Sequence, residues 1–248
     1  MISRRLAGVL LGLVLFISLL STAPARLLSV ILPQGQVQLL GYSGTVWDGS
    51  ASRAVVRLGS GYMHLGAVQW SLQPLSLLLL APRLSLNSKW GQQLISGELV
   101  LRGDQDMDLH NFSASVAADL VRQYAPVALR GNFNAQFSQL QLREGLPYSA
   151  AGRLVWQGAA WDAPGGQMPL GDYAVEIQQA PGEALSGEVL TLSGPLEAVG
   201  GIQLQGREYQ VDILLNSDVR MDAQLQQALS LMAAPESGGY RVKLNGQF

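Results

Sequence analysis

The sequence predicts a mainly β protein: an N-terminal transmembrane helix, then an elongated, curved antiparallel β-sheet. The sheet is expected as a meander, U-shaped or half-open, with one or two short packing helices. Three observations carry this. Two-residue alternation of apolar and polar side chains dominates from about Gly35 to the C-terminus. Glycine accounts for 28 of 248 residues, about 11% against a usual ~7%, and recurs at the margins of the alternating runs. Charged residues are only 14%, against a usual ~25%, while the apolar fraction of 48% is ordinary. That balance excludes a disordered chain, and glycine without a three-residue period excludes a collagen.

The first element is the helix. Arg4 and Arg5 precede an uncharged stretch of 20 residues, Leu6–Ala25, ending before Arg26. As a helix it would measure ~30 Å, enough for a hydrocarbon core. Ala23-Pro24-Ala25 also reads as the A-x-A site of a cleaved signal peptide. Against cleavage, the 15-residue apolar core is long for such a leader and apolar residues continue through Leu27–Leu32. A buried soluble helix is a further alternative. The reading adopted is residues 1–5 cytoplasmic, 6–25 a signal anchor and 26–248 an exported β-rich domain. The flanking arginines favour the N-terminus staying inside.

The strands follow. Val68/Trp70/Leu72, Phe133/Ala135/Phe137, Tyr173/Val175/Ile177, Tyr209/Val211/Ile213 and Tyr240/Val242/Leu244 each alternate with Gln, Asn, Ser or charged residues. One dry and one wet face is what an antiparallel sheet requires. The phase slips near Ser138, which predicts a bulge there. Two stretches break the alternation and predict short helices: Ser115–Tyr124, stopped before Pro126, and Asp222–Ala234, with Leu225, Ala228, Leu229 and Met232 on one stripe. No segment reads as an interdomain linker, although Gly145–Pro147 offers a soft midpoint.

Function classes can be excluded next. The net charge is −2 with only two lysines, Lys89 and Lys243, and no basic cluster, so the sequence predicts no nucleic-acid partner. Without cysteine there is no disulfide framework, thiolate nucleophile or cysteine metal site. The two histidines, His64 and His110, stand in no G-x-S-x-G or H-E-x-x-H context. Asp104, Asp106 and Asp108 open like a calcium loop, but Leu109 stands where glycine is needed and Ser115 where glutamate is. The sequence therefore predicts no enzyme, catalytic residue, cofactor or metal. The tryptophans are either large core packers or a protein-binding face. Trp47, Trp70, Pro74 and Trp156 are the candidate interaction residues.

Those residues also carry a resemblance. Gly44-Thr-Val-Trp-Asp-Gly-Ser-Ala51 follows the membrane segment, and Trp70-Ser-Leu-Gln-Pro-Leu-Ser-Leu-Leu78 follows that. Gly152-Arg-Leu-Val-Trp156, Leu170-Gly-Asp-Tyr173 and a terminal Gly-Tyr…Leu-Asn-Gly run complete the order. Together they resemble the protein N family of the type II secretion system (general secretion pathway protein N). The resemblance implies a single-pass protein of the Gram-negative inner membrane with its C-terminal domain in the periplasm. It implies an accessory role in exporting folded proteins across the outer membrane. Its partners would be other apparatus subunits, the inner-membrane platform and the outer-membrane secretin, and no catalytic or cofactor residues come with it. Two other readings stand beside it. One is a periplasmic lipid-binding or lipid-shielding grooved sheet. The other is an outer-membrane β-barrel, prompted by the aromatic C-terminal run Tyr240–Phe248.

Overall fold

The computed structural model describes residues 4–33, 35–58, 61–103, 105–123, 129–163, 166–217, 226–227, 233–236 and 239–247. The alternating runs form strands, every pairing between them antiparallel. The chain falls into two compact units, Met1–Gly91 and Gln92–Phe248.

The first unit opens with helix α1 (Arg4–Ser21), a 3₁₀ turn (Ala25–Leu27) and the single turn α2 (Leu28–Ile31). The helix stops four residues short of the expected Ala25. Pro24 has no N–H with which to continue it, and the Leu20 and Ala23 carbonyls accept from N–H groups of the turn that follows β-strand residues 37–44. Its apolar part, Leu6–Leu20, is ~22 Å long against the ~30 Å of a typical hydrocarbon core. Among the described residues, no helix is long and apolar enough to cross a membrane.

Strands β1 (Val37–Gly44), β2 (Asp48–Leu58), β3 (Gly61–Leu72) and β4 (Arg83–Trp90) then pair in sequence order. Along β3, Val68 and Trp70 are buried while Gln69 and Ser71 are exposed, as the alternation requires. Ala25, Ala51 and Ala54 complete a small core around the indole. A short helix, α3 (Pro74–Leu78), joins β3 to β4.

The second unit continues as β5 (Gln93–Leu101), β6 (Met107–Ala117), β7 (Leu129–Arg143), β8 (Leu146–Ala163), β9 (Gly166–Gln179), β10 (Leu185–Ser193), β11 (Glu197–Gln205) and β12 (Glu208–Asn216). These neighbours pair in order; β14 (Gly239–Gln247) then lies on β12 and carries the three-residue β13 (Ala234–Glu236) on its far side. Neither unit's sheet closes on itself among the described residues, and Tyr240–Gln247 of the C-terminal aromatic run lie in β14.

The bulge expected near Ser138 is present: the β7–β8 register shifts between Phe137 and Gln139. Of the helix expected over Ser115–Tyr124, only a 3₁₀ segment forms among the described residues. Ser115–Ala117 prolong β6, pairing with Asn134, Phe133 and Asn132, and a 3₁₀ turn follows over Ala118–Gln123. Pairing with β7 satisfies backbone groups that a helix would otherwise have to satisfy internally. Most of the helix expected over Asp222–Ala234 lies outside the described residues. At Gly145–Pro147 there is no break: Glu144 and Gly145 form the tight turn between β7 and β8, Leu146 and Pro147 already pair with Arg143 and Leu142, and the division of the chain falls at Gly91.

Candidate functional site

Three of the four candidate interaction residues meet at one end of the first unit's sheet. The turn Thr45–Trp47 between β1 and β2 receives the end of α1: Trp47 Nε1 donates to the Leu20 carbonyl at 2.8 Å, and Val46 N–H to the Ala23 carbonyl at 2.9 Å. A β-bridge between Pro24 and Thr45 and the burial of Ala25 complete the attachment. Trp70, 6% exposed, lies under this turn and donates from Nε1 to the Val46 carbonyl at 3.0 Å. Gly49 makes room for it, since a Cβ there would lie 2.6 Å from the ring.

Pro74 opens α3 on the same end of the sheet, because Leu72 N–H reaches the Trp47 carbonyl. Proline suits the first helical position, where its missing N–H has no partner to lose. Buried Ser76 closes the connection, its hydroxyl donating to the Gln73 carbonyl at 2.5 Å and accepting from Arg83 N–H at 2.8 Å. Around that pin, Leu75, Leu77, Leu78, Leu79 and Leu80 all face solvent.

Trp156 belongs to a different place, an apolar trough in the second unit. Side chains from β6 to β12, among them Phe133, Leu154, Tyr173, Val189 and Ile202, line a space of about 720 Å³. No carboxylate, guanidinium, ammonium or imidazole contributes to the lining. Trp156 stacks on Phe133 with ring centroids 5.4 Å apart and packs on Tyr173 at 5.9 Å. Its Nε1 donates to the Arg130 carbonyl, and the Tyr173 hydroxyl lies 2.9 and 2.8 Å from the Leu170 and Leu196 carbonyls. The polar atoms of both aromatics are thus satisfied by backbone, and the wall presents carbon. Burial, followed by the negative charge of Asp172, pushes the Tyr173 phenol up to about 12. Asp172 is itself held below the usual carboxylate range by hydrogen bonds from Gly158 N–H and the Ser193 hydroxyl.

The aspartate run is used for ion pairing. Asp108 is 1% exposed, with the Arg102 guanidinium on Oδ2 and Arg143 Nη1 2.7 Å from Oδ1. Burial pushes its carboxyl up, but the two guanidiniums outweigh that and hold it below its ordinary value. Asp106 accepts from Glu144 N–H across the adjoining turns, and Asp104 lies outside the described residues. Among the described residues no cluster of His, Cys, Asp or Glu could hold a metal ion.

Compared with known families, residues 35–243 match the model of "Type II secretion system (T2SS), protein N". The chain belongs to the type II secretion system protein N family. Its relatives in that family include the protein N of Aeromonas hydrophila, 30% identical over 216 residues, which cover 84% of this chain and 83% of the relative. The protein N of Vibrio cholerae serotype O1 is 29% identical over 252 aligned positions, covering 97% of both. That of Pectobacterium carotovorum is 26% identical across 99% of this chain and 98% of the relative. No solved structure matches the chain. The mainly β architecture described above is that of a protein N family member, a component of type II protein secretion.

Within this protein N family member, sequence reading found the tryptophans but missed what surrounds them. The trough residues Phe133, Val175 and Ile213 stood in separate alternating runs, and only strand register brings them to one face. The leucines after Pro74 carried a visible signal, a run of apolar residues in a connection where polar ones are expected.

Proposed function

We propose that this chain is an accessory inner-membrane component of the type II secretion apparatus. In this reading α1 is retained as its anchor, and residues 26–248 lie in the periplasm. There they contact other apparatus subunits, the inner-membrane platform and the outer-membrane secretin, and so support export of folded proteins across the outer membrane. The observation that carries the reading is the family match across residues 35–243.

The membrane placement draws support from the first unit. Leu10, Leu11, Val14, Leu15, Leu19 and Leu20 of α1 are 48–69% exposed. The helix is ~8 Å shorter in its apolar part than a typical hydrocarbon core, a mismatch that local bilayer thinning absorbs at a fraction of a kcal/mol per Å. Retention is favoured because Leu20, Ala23, Pro24 and Ala25 are all built into the β1–β2 end of the sheet. Site-specific cross-linking along the exported strands, in cells making the whole machine, tests the assignment. Capture of platform subunits or secretin is expected, together with a secretion defect on deletion. Unaffected secretion with no apparatus subunit captured would remove the assignment.

A second reading is favoured by one observation, the trough of the second unit. A channel of about 720 Å³ walled by carbon accepts a hydrocarbon chain, which brings no polar group needing a partner. Delipidated full-length protein should then bind a fluorescent fatty acid, and Val189→Arg, which puts a charge on the wall, should abolish the binding. No binding by the unsubstituted protein rejects this reading and leaves the first intact.

A further inference from the structure

We propose that the β3–β4 connection, Pro74–Leu80, is a second membrane-inserting element that enters the bilayer beside α1. The inference rests on the reading of α1 as an anchor. Leu75, Leu78, Leu79 and Leu80 are 75–87% exposed, far beyond what a solvated hairpin connection tolerates singly. They are not a loose tail. The Ser76 hydroxyl ties Gln73 to Arg83, and the N–H groups of Leu79 and Ala81 both reach the Ser76 carbonyl. Leu80 is even held at a φ of 52°, a left-handed conformation that leucine avoids unless its surroundings impose it.

Position names the occupant. The tip and the C-terminus of α1 leave the same end of the sheet, joined through Trp47, whose Nε1 holds Leu20 and whose carbonyl receives Leu72 N–H. A helix in the bilayer at that end brings the tip to the same membrane surface. Charge agrees. The part of the first unit that follows α1, residues 26–91, has five basic residues and one acid, Asp48, a formal charge of +4, whereas the second unit has nine basic and seventeen acidic residues, −8. Arg26 follows α1 and Arg83 follows the leucines, both exposed. Apolar side chains flanked by arginine suit an anionic phospholipid surface, with the leucines among acyl chains and the guanidiniums at phosphates. A protein partner would need no such basic rim beside an anchor.

The chain has no cysteine, so a single introduced cysteine carries a probe at one site. Full-length protein bearing Leu78→Cys, Leu11→Cys or Tyr62→Cys is labelled with an environment-sensitive fluorophore and reconstituted into phosphatidylethanolamine–phosphatidylglycerol vesicles. Tyr62 is exposed at the other end of β3, ~33 Å from Leu72 along the strand. The expected result is quenching by nitroxide-labelled lipid, with loss of quenching by aqueous iodide, at Leu78 and Leu11 but not at Tyr62. In otherwise identical protein, Arg26→Gln with Arg83→Gln should weaken the lipid quenching at Leu78 while leaving that at Leu11. A Leu78 probe open to iodide while Leu11 is lipid-quenched overturns the proposal and leaves the anchor standing. Iodide access at both positions overturns the anchor and the proposal with it. Shielding of Leu78 that appears only on adding an unlabelled second copy or other apparatus subunits overturns it in favour of a protein interface.

Discussion

Trp70 and Asp108 are the two side chains whose removal the fold should feel most. Trp70→Ala empties a site 6% exposed beneath the β1–β2 turn. It should destabilise the protein by about 3–5 kcal/mol, read as a drop in the denaturant midpoint. Gly49→Ala reaches the same indole from the other side, placing a methyl 2.6 Å from the ring. A loss of about 1–3 kcal/mol is expected, with a change in tryptophan fluorescence as the ring moves. Asp108 acts through charge. Its carboxyl is depressed by Arg102 and Arg143, so its contribution is complete above the unfolded carboxylate pKa of ~3.9 and is lost as pH falls through the lower folded value. Asp108→Asn should cost about 2 kcal/mol at neutral pH. That is less than breaking a fully buried pair, because both guanidiniums reach solvent. The variant should also flatten the acid limb of a stability–pH curve, measured by thermal melting below pH 5. The aspartate alternation at 104–108 was visible in the sequence as an incomplete calcium loop, but its partners lie on the far side of turns and were not. Burial was decided by the pairing of Asp108 with Gln141 on β7, which brings Arg143 alongside.

Among the elements, α3 and its neighbouring turn combine strain with exposure. Leu80→Gly relieves the left-handed backbone and should stabilise the fold by about 1 kcal/mol while reducing insertion of the tip into vesicles. A stability gain paired with a binding loss is the pattern expected of a strained functional element. Ser76→Ala does the opposite to the fold, leaving Arg83 N–H and the Gln73 carbonyl without the hydroxyl. It should loosen the connection by about 1–3 kcal/mol, seen as faster hydrogen exchange at Arg83 and Ala81. The strands were legible because period-two alternation is a local property that survives any tertiary arrangement. The Ser138 bulge was legible for the same reason, as a break in phase. The start of the 115–124 helix was misread because Ser115-Val-Ala117 permits either conformation, and pairing with β7 selects the strand there.

For the whole molecule, the formal charge of −2 is the sum over two unlike units, +6 and −8. Every residue of that split is in the sequence, yet it becomes meaningful only once the division at Gly91 is known. It follows that association of the full chain with anionic vesicles should weaken as ionic strength rises, through the first unit's arginines, while the anchored fraction remains. What the sequence by itself determined is the strand content, the uncharged N-terminal segment and the family, because periodicity, apolar runs and motif order are written along the chain. Only the tertiary structure decided that the 44–51 and 70–78 motifs meet at the end of α1, that Trp47 holds Leu20, and that apolar residues of seven strands share one trough. These depend on register and on hydrogen bonds between residues as many as 27 positions apart, which no local pattern encodes.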